Sequence, residues 1–210
     1  MIDIQQVSKR FGAQQVLTNV SAHFGRGQIT GLVGRNGSGK SVLLKIVVGL
    51  MSPDQGYVAV DGRRIGKEVD FAPNTGFIID RPGFLGDRSG YANLRYLAAV
   101  RSKIGKEQIF QAIQQVGLNP QDRKPVGKYS QGMRQRLGIA QALMEDPQLI
   151  ILDEPMNALD NATVEQMRGV FSELKAAGKT LVITSHDERD IETLCDHVFA
   201  MDAGVLTQTR

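Results

Sequence analysis

Short apolar runs bounded by glycine, proline or asparagine alternate along this chain with stretches whose apolar residues recur every three or four positions. Residues 2–8 and 15–24 predict two strands, with Phe11-Gly12 at the bend between them. Gly25-Arg26-Gly27 turns the chain into residues 28–33, an apolar run suited to a buried strand. Residues 42–48 continue as a helix that stops at Gly49, and Tyr57-Val58-Ala59-Val60 is a strand closed by Asp61-Gly62. Gly76-Phe77-Ile78-Ile79 predicts another short buried strand ahead of a loop at Asp80-Arg81-Pro82-Gly83. From Tyr91 to Gly117 the spacing is helical, divided at Gly105, and residues 132–144 are helical again. Residues 148–152 and 180–184 predict buried strands, residues 162–177 an amphipathic helix ended by Gly178, residues 188–195 a short helix and residues 197–201 a last strand.

Alternation of helices with β-branched, unpatterned strands argues for an α/β fold with a parallel sheet covered on both faces. The first third carries a β-rich layer, and a block of helices at about 84–145 is inserted. At 210 residues the chain is expected to be a single domain spanning 1–210, with that block as a subdomain. Lys plus Arg at 25 against Asp plus Glu at 22 leaves +3, too mild to demand nucleic acid, and none is expected as a partner. One cysteine, Cys195, excludes an internal disulfide and reads as a small core residue in a reducing cytosol. Met1-Ile2-Asp3-Ile4 opens as a strand and not as a signal peptide, and no apolar run is long enough to cross a bilayer. A membrane role would therefore require a separate membrane partner.

Gly34-Arg35-Asn36-Gly37-Ser38-Gly39-Lys40-Ser41 matches G-x-x-x-x-G-K-[ST] between a predicted strand and a predicted helix that begins through Val42. Glycines let several backbone N–H groups turn toward one anion, and the helix start adds partial positive charge. Lys40 is placed to reach the β and γ phosphates of a nucleoside triphosphate, and Ser41 to ligate Mg²⁺. The buried run Leu149 to Leu152 ends in Asp153-Glu154. Paired acids at such a strand end face a cation or a reacting group: Asp153 for the Mg²⁺, Glu154 to polarise the attacking water. His186 follows the strand at 180–184 at the edge where such sheets bind ligands, and is assigned to the γ phosphate and the water. Ser130 to Arg136 places a hydroxyl and a glycine at a second helix start, which reads equally as an anion contact or as a plain N-cap.

Together these segments resemble the nucleotide-binding domain of an ABC transporter over nearly the whole chain. Residues 34–41 stand where Walker A does, Leu149 to Glu154 where Walker B does, and Ser130-Gln131-Gly132-Met133 in the place of the ABC signature. Ala158-Leu159-Asp160 resembles the D-loop, His186 the switch histidine, and Phe11 the aromatic that stacks on adenine. Residues 76–84 and the segment from Tyr129 to Ala140 are similar to the bacitracin and lantibiotic type of exporter ATPase. The resemblance implies a P-loop ATPase fold: a mostly parallel core sheet covered by helices, an N-terminal antiparallel β subdomain and an inserted helical subdomain. It implies ATP and Mg²⁺ as cofactors. It also implies a head-to-tail pair of nucleotide-binding domains, homodimeric or heterodimeric, in which Ser130 and Gly132 cap the other subunit's nucleotide and Asp160 links the two sites. A membrane permease subunit would hold the chain peripherally on the inner face of the cell membrane, from the cytoplasm.

Several positions depart from the family pattern. Asp80 stands for a glutamine and is expected to reach Mg²⁺ through water; Gln131 stands for a glycine, Met133 for a glutamine, and Met156 and Ala158 for smaller or more polar residues. Glu154 and His186 are intact, which favours an active ATPase over a regulator that binds nucleotide without turnover. A soluble ABC-type relative acting on ribosomes or DNA is the alternative class. The chain lacks the second nucleotide domain or the sustained heptads that such relatives carry.

Overall fold

The computed structural model describes residues 1–210. Two sheets divide the strands. The first is antiparallel and built from β1 (Ile2–Phe11), β2 (Gln14–Phe24), β4 (Gln55–Val60) and β5 (Arg63–Arg64), in the order β2-β1-β4-β5. The second has six strands in the order β10-β9-β3-β8-β7-β6, from β3 (Ile29–Val33), β6 (Thr75–Ile78), β7 (Leu149–Leu152), β8 (Thr180–Thr184), β9 (His197–Asp202) and β10 (Val205–Gln208). Strands β9, β3, β8, β7 and β6 run parallel, and β10 returns antiparallel on β9.

Six α-helices connect them: α1 (Lys40–Val48), α2 (Gly90–Arg101), α3 (Lys106–Gln115), α4 (Gln131–Leu143), α5 (Asn161–Ala176) and α6 (Glu188–Leu194). None is long and apolar enough to cross a membrane. As the spacing predicts, Gly105 separates α2 from α3.

Alternation along the parallel strands explains how the sheet sits. On β7, Leu149 and Ile151 face one core while Ile150 and Leu152 face another; on β8, Val182 opposes Leu181 and Ile183 in the same way. One core joins the sheet to α1 and the antiparallel strands, with Phe24 and Phe199 rings 5.0 Å apart. The other joins it to the remaining helices. So both faces are covered, but one cover is a β layer with a single helix. Leu43 and Leu44 of α1 are wholly buried between the sheets. Truncating Leu44 to alanine there costs about 2–5 kcal/mol, by lost transfer energy and the cavity left behind. Because α1 grows directly out of the glycine-rich loop, that burial also fixes the loop.

The sequence pattern leaves out two strands. Both β5 and β10 follow two-residue turns whose central residues have positive φ: Asp61 (51°) and Gly62 (76°), then Ala203 (45°) and Gly204 (81°). These are the left-handed pairs that match strand twist in a hairpin.

Cys195 closes α6 as a buried core residue. Burial pushes its thiol up to about 12, so it supplies no nucleophile at neutral pH.

Candidate functional site

The C-terminal ends of β3, β7 and β8 meet at one edge of the six-stranded sheet, and each carries one of the motifs. The loop after β3 folds over the start of α1. Gly34 has φ of 146°, and a Cβ there would lie 2.2 Å from the Met201 carbonyl. Gly39, at φ of 114°, abuts the Val16 carbonyl of β2 in the same way, at 2.9 Å. Only glycine lets the loop pass this close to two strands while turning. Gly39 is also the N-cap of α1 and supplies no side-chain cap, which leaves the first N–H groups of the helix without a side-chain partner.

Lys40 is 6% exposed, and its ammonium donates to the Gly34 carbonyl at 2.6 Å and the Arg35 carbonyl at 3.1 Å. Those partners are neutral, so a buried cation lies in the loop with no carboxylate beside it. The Ser38 hydroxyl is buried with no hydrogen-bond partner at all. Buried cations and orphaned hydroxyls are costly, and both are relieved by an anion in the loop. By this test the residues fit a phosphate chain.

Ser41 donates its hydroxyl to Asp153 Oδ2 at 2.5 Å, and Thr184 donates to Asp153 Oδ1 at 2.6 Å. The same Thr184 oxygen accepts from the Glu154 backbone N–H at 2.7 Å. No group of three or more His, Cys, Asp or Glu side chains is placed to hold a metal. A serine hydroxyl and one carboxylate instead suit Mg²⁺, which keeps several waters and takes other oxygens from a bound phosphate. Glu154 adopts φ of 50°, a left-handed backbone unusual for a side-chain-bearing residue, and strain of that kind collects at functional positions. Its Oε2 lies 2.9 Å from His186 Nδ1.

Phe11, Val16, Asn36, Gly37, Gly39, Lys40, Ser41, Val42, Asp153 and Glu154 line one cleft of about 300 Å³. Phe11 sits on its rim, 47% exposed. Gly34, Arg35 and His186 border a second, larger cavity of about 540 Å³, with Val33 and α6 as its other wall.

Ser130, Gly132 and Asp160 line neither cavity. Ser130 is the N-cap of α4, its hydroxyl accepting from the Met133 N–H at 3.1 Å, so the N-cap alternative describes what it does within one chain. A Cβ on Gly132 would meet the Ala158 carbonyl at 2.8 Å, which packs the start of α4 on the loop after β7. Asp160 caps α5, and two hydrogen bonds from Thr163, first its backbone N–H and then its hydroxyl, hold the carboxyl below its usual value. Asp80, expected to reach Mg²⁺ through water, is ion-paired with Lys45 of α1 at 2.6 Å and does not line the cleft of Lys40 and Ser41. Lysine provides what a glutamine could not have attracted, a full countercharge.

Thr184 and Gln135 belong to the site although no sequence motif includes them. Thr184 is wholly buried at the last position of β8, a polar residue where the strand should end apolar, and that was the available signal. Gln135 donates from α4 to the Glu154 carbonyl at 3.1 Å and the Pro155 carbonyl at 3.3 Å, tying the signature helix to the acid pair.

A family described as ABC transporter matches residues 17–157. The uncharacterized ABC transporter ATP-binding protein YybJ of Bacillus subtilis is 37% identical over 98% of this chain and 94% of its own. The bacitracin transport ATP-binding protein BcrA of Enterococcus faecalis is 37% identical over 99% of this chain and 68% of its own, and the lantibiotic transport ATP-binding protein SrtF of Streptococcus pyogenes 35% over 94% and 85%. A solved ATP-binding subunit of an ABC transporter superposes with a TM-score of 0.87 at 26% identity, covering all of this chain and 89% of that one. A dimeric bacterial ABC transporter cassette gives 0.89 over 100% and 99% at 23% identity, which speaks to the fold. The chain belongs to the ABC transporter family, as one of its ATP-binding ATPase cassettes.

Proposed function

We propose that this chain hydrolyses ATP, paired with a second nucleotide-binding domain, to drive a membrane permease that exports an amphipathic peptide antibiotic. The observation that carries the ATPase part is the loop with a buried, carbonyl-bound Lys40 and an orphaned Ser38 hydroxyl, opening beside Ser41, Asp153 and Glu154. Lys40 and the N–H groups of residues 37–41 bind the β and γ phosphates. Ser41 and Asp153 hold Mg²⁺, which would neutralise phosphate charge. Phe11 stacks on the base.

Glu154 takes the proton of the attacking water. A carboxylate only accepts, so the proton shared with His186 sits on Nδ1, and the imidazole orients Glu154 while presenting its other nitrogen to the γ phosphate. His186 is 69% exposed at its side chain, so this constellation lies open to solvent and needs a second surface to exclude water. In our reading that surface is the start of α4 from the second domain, with Ser130 and Gly132 on the phosphate and Asp160 at the link between sites.

Residues 84–145 act as the helical subdomain within one ATPase domain. Tyr96 and Val100, one turn apart on α2 and 68% and 78% exposed, give that block an apolar face suited to the permease. The names of the relatives BcrA and SrtF support the peptide antibiotic class. The permease would place the chain on the cytoplasmic side of the membrane.

Glu154→Gln tests the core of this. Turnover should fall by about 10²–10⁴-fold, with nucleotide affinity retained. With MgATP the variant should elute as a pair on gel filtration. A monomer with undiminished ATPase would refute the assignment.

A further inference from the structure

The imidazole of His186 has one hydrogen-bond partner, Glu154, and is mostly bare. What holds it in place lies behind it, in the backbone on either side. Ser185, 5% exposed, accepts the Asp187 N–H on its hydroxyl oxygen at 3.0 Å, so one side chain clasps both neighbours of His186. That hydroxyl donates to Asp190 Oδ2 on α6, also at 3.0 Å. Asp190 is 2% exposed, and its other oxygen accepts from Arg168 of α5, from Nε at 2.9 Å and Nη2 at 2.5 Å. Arg168 is fixed in turn by Glu165 at 2.6 Å. Burial alone would make Arg168 easier to deprotonate, but the Asp190 carboxylate outweighs it and holds the guanidinium charged.

A buried ion pair is a poor device for stability, since desolvation consumes most of the attraction and an apolar pair would pack as well. It is a good device for direction. Asp190 needs its full charge to accept from three donors at once, and one of those donors is the hydroxyl that sets the turn at 185–187. The geometry points to Ser185, Asp190 and Arg168 as positioning residues for His186, acting through the backbone turn and touching no substrate. This rests on the role of His186 in ATP hydrolysis. It adds that α5, which Asp160 caps, is wired to the switch histidine through a buried carboxylate.

Ser185→Ala tests the proposal in the full chain, because it removes the clasp and leaves the Arg168–Asp190 pair intact, so folding is not at stake. We expect kcat for MgATP to drop about tenfold, the worth of a hydrogen bond to a charged group, with KM within about twofold. In a His186→Ala background the same substitution should cause no further loss. Equal losses in both backgrounds, or none in either, would overturn the proposal. A second readout needs no turnover. The chain has three histidines, so the His186 ring nitrogens can be identified in an NMR spectrum by their loss in His186→Ala. They should report one Nδ1–H tautomer in the parent and fast tautomer exchange in Ser185→Ala and Asp190→Asn. An unchanged His186 signal in Ser185→Ala would defeat the positioning role even with an inactive protein. A parent without ATPase but with a shifted signal would instead defeat the hydrolysis reading and leave the positioning role standing.

Discussion

Two helix starts in this molecule carry similar glycine- and serine-rich sequences and are built differently. The start of α1 follows Gly39, has no side-chain cap, and gathers a buried lysine bonded only to carbonyls and a serine hydroxyl bonded to nothing. The start of α4 follows Ser130, whose hydroxyl already accepts from its own helix, and Gly132 there is pressed against the Ala158 carbonyl. The first is a donor array lacking its acceptor. The second already accepts from its own helix, and only the hydroxyl proton of Ser130 is left to offer a phosphate. That difference suits the α1 start to capture and the α4 start to completion in the head-to-tail pair proposed above.

The largest effect expected from this division is at Lys40. Removing one member of a buried charge contact costs about 2–5 kcal/mol, about 30-fold or more in affinity. Lys40→Ala should therefore weaken ATP binding by that factor in equilibrium titration, and abolish turnover as a consequence. Because the lysine has no carboxylate partner, its loss leaves no orphaned acid behind, and thermal stability should hold or rise slightly. Unchanged nucleotide affinity would remove α1 from the capture role.

At Ser130 the same comparison predicts a split. Ser130→Ala should leave ATP affinity of the separate chains within about twofold, while turnover falls about tenfold through one lost hydrogen bond to a charged phosphate. The missing cap should also lower the melting temperature by about 2–4 °C, from roughly 1 kcal/mol in a chain of this size. If affinity and turnover fell together, the α4 start would belong to its own chain's cleft and the division would fail.

The capture site was legible in the sequence because its parts are local: a strand, a glycine-rich turn and a helix in direct succession, then acids and a histidine at strand ends. Strand and helix placement followed from period and punctuation for the same reason. What escaped notice depends on distant packing. Thr184 reads as a β-branched strand residue until β7 and β8 lie side by side and its hydroxyl bridges Asp153 and the Glu154 N–H. The ion pair of Asp80 with Lys45, 35 positions earlier, likewise has no local pattern that announces it. The short strands β5 and β10 are held by pairing partners more than by their own composition, with only Asp61-Gly62 and Ala203-Gly204 as signals. The left-handed backbone at Glu154 leaves no trace in composition.

The smallest expected effect sharpens what the capture site recognises. Phe11 ends β1 on the rim of the cleft that holds Lys40 and Ser41, which Val16 also lines, and the Lys9 ammonium lies 5.7 Å from the ring centre. Its partial exposure means that Phe11→Ala removes little from the core, so stability should barely change. A base stacked on an aromatic ring is worth about 1–3 kcal/mol. The variant should thus bind ATP about fivefold or more weakly, yet bind inorganic tripolyphosphate as the parent does. The contrast between ligands matters more than the size of either loss. If both weakened equally, the ring would be acting by shaping the phosphate loop through Val16, and capture would reside in α1 alone. If only ATP weakened, the donor array reads the phosphates, the rim reads the base, and α4 is left with closure.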